Sequence, residues 1–210
     1  MRIGELSRRT GVSIPTIKFY VREGLLPAGE LTSPNQASYG ETHVQRLRLI
    51  RALLDVGGLS VASIREVILA IDDPERSVHK LLGTVAAGLV PRYDRESHAG
   101  IEDARKQVAA LIAARGWRVQ QGNPASEALA VALAAVDEAG HGAFTEVLDA
   151  YADAAERVAR VDLDYVAREV AREELVESVV VGTVIGDAIF SALRRMAQTD
   201  ASDRRYGQST

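Results

Sequence analysis

The stretch IGELSRRTGVSIPTIKFYVREGLLP, Ile3 to Pro27, decides how this chain reads. Ile3 to Arg9 has the spacing of a short helix. Thr10-Gly11-Val12 forms a turn in which Gly11 is free to take positive φ. Ser13 is placed to cap a second helix that runs to about Glu23. Pro15 falls in its first turn, where no amide partner is lost. Gly24 ends the helix, and Leu25-Leu26-Pro27 starts an extended segment. Two short helices around a glycine turn make a helix-turn-helix. Leu6, Val12, Ile17 and Tyr20 would pin the pair together. That leaves Thr16, Lys18, Phe19 and Arg22 facing outward, on a helix that fits a DNA major groove.

Leu31 to Gly40 is rich in Ser, Thr, Pro, Asn and Gln and shows no helical period, which suits a β-hairpin with Ser38-Tyr39 on its returning strand. A third helix is expected from Gly40 to Thr42 onward, where Thr42 and Gln45 have capping-box spacing. Val44, Leu47, Ile50, Leu53 and Leu54 mark its apolar face, and Gly57-Gly58 stops it. Ser60 caps a fourth helix with Ile64, Val67, Ile68 and Ile71 inside. Asp72-Asp73-Pro74 is the clearest boundary. Beyond it, segments near 75–90, 97–115, 126–138, 143–159 and 162–197 all have helical periods.

The expected fold is therefore mainly all-α: a winged helix-turn-helix with a small β-wing, then a helical bundle. We expect a DNA-binding domain over 1–71, a linker or connecting helix over 72–95, an effector and dimerisation domain over 96–200, and a disordered tail over 201–210.

Composition narrows the function. Among 210 residues there is no cysteine, which removes disulfides, thiolate metal sites and cysteine nucleophiles. No basic head precedes an apolar run, and Val179 to Ile189 is too short and interrupted to span a bilayer, so a cytoplasmic chain without membrane attachment is expected. The net charge of -4 looks unfavourable for a nucleic-acid binder. Residues 1–70, however, hold nine basic and six acidic residues, and the acidic excess lies in the rest. A basic head on an acidic body concentrates phosphate attraction at one end. No Ser-His-Asp set, phosphate loop or paired His/Glu array is present, so no enzyme and no cofactor are expected.

The Ile3–Pro27 stretch resembles the N-terminal domain of the mercury-resistance regulator (MerR) family. The resemblance rests on Ile3-Gly4-Glu5, on Thr10-Gly11-Val12-Ser13, and on Thr16-Ile17-Lys18-Phe19-Tyr20-Val21-Arg22-Glu23-Gly24-Leu25-Leu26. It continues through Ser38-Tyr39 of the wing, Val44 to Leu53, Leu59-Ser60, and Ile64 to Val67, about a third of the chain. Pro15 and Ala37 depart from it, each standing where many relatives carry a basic residue. The resemblance implies a sequence-specific transcription regulator that binds promoter DNA as a homodimer. It implies distortion of that DNA in response to an effector, with RNA polymerase an indirect partner. A simple repressor or an architectural DNA-bending protein without a ligand is the alternative. Thr16, Lys18, Phe19, Tyr20, Arg22, Ser38 and Tyr39 are the candidate DNA contacts. Tyr20 serves equally as core residue or phosphate ligand on this reading.

The family's long dimer helix after the fourth helix is not evident here, since Val78 to Val90 is broken by Gly83, Gly88 and Pro91. The small-residue run Val179 to Gly186 fits either a close helix contact between subunits or the centre of one subunit's bundle. Trp117, Tyr151 and Tyr165 are candidates to line a pocket for an apolar or cationic effector. The four histidines, His43, His79, His98 and His141, are the remaining candidate metal ligands. Glu138-Ala139-Gly140-His141 has Glu-x-x-His spacing, but as one copy at a helix end it does not support a metal site.

Overall fold

The computed structural model describes residues 1–33, 36–73, 75, 80, 83, 99–120, 122–166 and 172–207. Most of the linker or connecting helix expected over 72–95, together with His79 and His98, lies outside the described residues. The chain groups into two units, Met1–Val85 with Val170–Thr210, and Ala86–Glu169. The DNA-binding domain expected over 1–71 thus shares its unit with the end of the chain.

In the first unit, α1 (Ile3–Thr10) and α2 (Ile14–Arg22) form the helix-turn-helix. Gly11 ends α1 at φ 70°, a conformation that would strain any residue with a Cβ, and its N–H reaches Ser7 O at 2.9 Å. Ser13 caps α2 by accepting the Thr16 N–H at 3.2 Å, a bond worth about 1 kcal/mol. Strands β1 (Glu30–Ser33) and β2 (Gln36–Ser38) make the antiparallel wing, with Glu30 opposite Ser38 and an irregularity between Leu31 and Ser33.

Helix α3 (Glu41–Asp55) starts in a way the Thr42/Gln45 spacing does not anticipate. Gly40 is the N-cap, and its N–H donates to His43 Nδ1 at 3.1 Å, so a histidine ring performs the back-capping. Helix α4 (Val61–Ile71) begins at Ser60, whose Oγ accepts the Ser63 N–H. Leu6, Ile17, Leu25, Val44, Leu47, Ile50, Leu53, Ile64 and Val67 are fully buried and form the core beneath the helix-turn-helix.

The last helix, α8 (Arg172–Tyr206), packs on α3 and α4 of this same unit. Val180 and Val184 are buried there. A Cβ placed on Gly57, in the α3–α4 turn, would lie 2.1 Å from Val184 Cγ1. Only glycine lets the valine approach so closely. Of the two roles open for the Val179–Gly186 run, these contacts show the intramolecular one at Val180 and Val184. The helix also continues through Tyr206, which corrects the expectation of a disordered tail from 201. An Arg204–Asp200 pair one turn apart and basic residues in the last turn support the continued helix.

In the second unit, α5 (Ile101–Arg115) and α6 (Pro124–Glu138) pack side by side around Ala104, Val108, Ala130, Leu133 and Ala134. Asn123 caps α6 through the N–H groups of Ala125 and Ser126. A 3-10 turn, Gly142–Val147, leads into α7 (Leu148–Val166). Arg115 at the end of α5 pairs with Asp149 and Asp153 on α7. Among the described residues, no helix is long and apolar enough to cross a membrane.

Candidate nucleic-acid interface

The interface is built on the difference between the two sides of α2. One side carries Ile17, fully buried against the α1 core around Leu6. The other carries Lys18 and Arg22, both exposed. With the inner side fixed by packing, the outer cations have a defined position. Thr16 is half-buried and shares a 2.7 Å hydrogen bond with Ser13 Oγ, which holds both hydroxyls at the helix N-terminus. Phe19 is half-buried. The Arg22 guanidinium lies over its ring at 5.5 Å from the centroid, a cation–π contact that preorganises the arginine while leaving its donors outward.

Tyr20 departs from this face. Its side chain is only 6% exposed and belongs to the core. Burial raises its hydroxyl pKa, the negative charge of Asp55 adds to the rise, and Arg51 opposes it. Of the two roles open to Tyr20, the structure shows the core one. Position alone could not separate them, because i+3 from Ile17 lies at the edge of the helix's inner stripe.

The wing supplies the second element. Ser38 and Tyr39 sit at its base, both half-buried. The Tyr39 N–H donates to Met1 O at 2.9 Å, and the Met1 amine donates to Tyr39 O at 2.7 Å. These paired bonds tie the start of the chain to the returning strand. The Tyr39 ring meets the His43 ring edge-on, 5.2 Å between centroids. Wing and α3 cap are thereby coupled through one aromatic pair. The wing's β1 is exposed along its whole length, Leu31 included.

A further residue holding α2 in place is one that the motif does not reveal. Arg65 on α4 donates from Nε to Glu23 O at 3.0 Å and pairs with the Glu23 carboxylate. It closes the C-terminal end of α2 from across the domain. Its signal in the sequence is only one arginine in an apolar helix.

Residues 1–71 match the family model for MerR HTH family regulatory proteins. Over its whole length the chain is 34% identical to a Streptomyces coelicolor A3(2) protein of known structure, assigned as a transcriptional regulator, with both chains covered completely at a TM-score of 0.69. The chain belongs to the MerR family. Among curated relatives, it is 42% identical over 67 residues to the nodulation protein NolA of Bradyrhizobium elkanii, which covers 32% of this chain and 30% of that one. It is 34% identical over 74 residues to the mercuric resistance operon regulatory protein of Bacillus cereus, covering 35% and 55%. The chain thus spans from under a third to about half of the curated relatives it matches. Both matches are too short to take in more than the MerR head and a few residues beyond it.

The aromatic residues suggested for an effector pocket do not come together in this MerR-family chain. Trp117 Nε1 donates to Glu156 on α7 at 2.9 Å, and Tyr151 packs its ring edge-on against Phe144. Tyr151 and Tyr165 are fourteen positions apart on one helix, about 21 Å along its axis. A single small ligand cannot bridge them.

Proposed function

We propose that the chain is a sequence-specific transcription regulator that binds promoter DNA through α2 and the wing. The observation that carries this is the exposed Lys18–Arg22 face on a helix whose opposite side is fully buried. Lys18 and Arg22 fit phosphate contacts, Thr16 and Phe19 fit the groove floor, and Ser38 and Tyr39 fit the backbone beside the wing. A basic head supports the same reading, since phosphate neutralisation supplies most of the affinity.

The active species in this reading is a homodimer. The C-terminal half of α8 supports it: Ile189, Phe190, Leu193 and Met196 are 40–61% exposed at helical spacing. Two copies on one face of the duplex would read two half-sites about one turn apart. Effector-driven distortion of the DNA, at a cost on the order of several kcal/mol, completes the proposal. RNA polymerase would respond to the altered promoter geometry.

The deciding experiment is fluorescence anisotropy with the chain's own promoter region at low ionic strength, followed by footprinting of the bound site. Saturable binding that outcompetes random duplex, and a two-fold footprint, are expected. Equal affinity for random duplex, or none, refutes the proposal. A protected site between polymerase elements with an unusually long spacer supports activation by distortion, and an ordinary spacer replaces it with simple repression.

A further inference from the structure

Between α5 and α6 lies an open cleft of about 580 Å³ that the DNA-binding reading does not use. Its walls are Val108, Ile112 and Val119. Its room comes from small side chains, since Ala109 and Ala113 on α5 stand where larger residues would fill the space. Val108 also belongs to the α5–α6 core, and Ile112 packs against that core, so the cleft is continuous with the interior of its unit.

The polar end decides what it can hold. Arg105 Nε donates to both Glu127 oxygens, at 3.1 and 3.2 Å, and the guanidinium also pairs with Glu102. The Glu127 and Glu102 hydrogen bonds hold the arginine above its ordinary pKa. Within the lining, the cation and the carboxylate of Glu127 cancel. Both charges are already engaged with each other, so a charged ligand would have to compete with the pair. What remains for recognition is the Gln120 amide and the Ser126 hydroxyl, which donates to Asn123 O and keeps its acceptor capacity, beside apolar walls.

A helix about 10 Å across would sink only about 7 Å of its length into 580 Å³, little more than one turn, so a small molecule fills the cleft better. The volume instead lies within the range of small-molecule sites, about 300–1,000 Å³.

We infer that the α5–α6 cleft is a binding site for an uncharged, mainly apolar small molecule with a hydrogen-bonding group directed at Gln120 or Ser126. As the effector site of the regulator it rests on the function proposed above. The binding itself does not, so it is tested without DNA.

The probe is N-phenyl-1-naphthylamine, an uncharged apolar dye, titrated into the full chain. Saturable binding of one dye per chain is expected, stronger than that of cationic rhodamine 6G or anionic anilinonaphthalene sulfonate. Ala113→Phe, which fills the cleft, should weaken it at least tenfold. The native chain has no cysteine, so Ala109→Cys gives a unique thiol in the wall. The dye should slow its reaction with N-ethylmaleimide at least fivefold and leave Ala201→Cys, far along α8, unaffected. If Ala113→Phe fails to fold, the labelling experiment carries the test alone. No saturable binding, preference for a charged dye, or unprotected labelling at Ala109→Cys overturns the inference. Loss of DNA binding in the anisotropy experiment would leave it standing.

Discussion

Replacing Gly57 with alanine isolates the contact that fastens α8 to the α3–α4 turn. The backbone at this position is not left-handed, so alanine meets no torsional barrier. Taken alone it would stabilise by about 0.4–1 kcal/mol through the unfolded chain. The folded chain offers no room, however. The new Cβ would stand 2.1 Å from Val184 Cγ1, 2.8 Å from Leu53 O and 3.0 Å from Leu59 Cδ1. Ordinary carbon contacts are about 3.5–4.0 Å, so Val184 must retreat by roughly 1.5 Å.

Overpacking of this kind costs about 1–3 kcal/mol. Lifting α8 away instead would re-expose Val180 and Val184 at about 1.5–3 kcal/mol each, so local strain is the cheaper response. The expected loss is about 1–3 kcal/mol, a fall in Tm of about 2–12 °C for a chain of this size. Urea unfolding followed by circular dichroism measures it. In a Val184→Ala background the worst clash is gone, and the cost of Gly57→Ala should fall by at least about 1 kcal/mol. A loss below about 0.5 kcal/mol, or additivity of the two substitutions within that margin, refutes the reasoning.

Three further experiments probe the interface. Lys18→Ala and Arg22→Ala should each flatten the dependence of log K on log salt by about 1.8 for a dimer, or about 0.9 for each phosphate no longer neutralised, as read by anisotropy from 50 to 200 mM salt. Ile17→Ala should cost about 2–5 kcal/mol in chemical denaturation, because it opens a cavity behind the reading helix. Ultraviolet titration should show a component from Tyr20 that ionises above the ordinary tyrosine value of about 10. Because its folded pKa is raised, the folded state holds that proton longer, and stability should decline as pH rises above about 10; Tyr20→Phe should abolish the late component.

The head of the chain was legible because its determinants are local. Ser13, Gly11 and Ser60 act on amides within three or four residues of themselves, and the wing's composition marks it as non-helical. The buried stripe Leu6–Ile17 follows from helical period alone. Pairings closed over long separations leave no such trace. Nothing near Gly57 announces Val184, 127 positions away, and nothing near Glu23 announces Arg65. The His43 cap is hidden because imidazole is an uncommon partner for an N-terminal amide. Tyr20 is ambiguous since the edge of an apolar stripe faces both ways. The aromatic trio fails for a related reason, since scarce residue types attract attention wherever the helices place them.

The seat for Val184 is formed by residues near 57, while the valine itself is translated more than a hundred codons later. At synthesis rates of about 5–20 residues per second, the α3–α4 turn waits roughly 5–25 s before the helix that covers it emerges. For that interval the apolar surface around Leu53 and Leu59 lacks its native cover on the nascent chain. Closure then requires a loop spanning the entire α5–α7 region, an entropic delay that grows only slowly with loop length. Shortening that middle region should speed completion of the head only modestly, whereas premature termination before residue 180 would leave its hydrophobic seat permanently open.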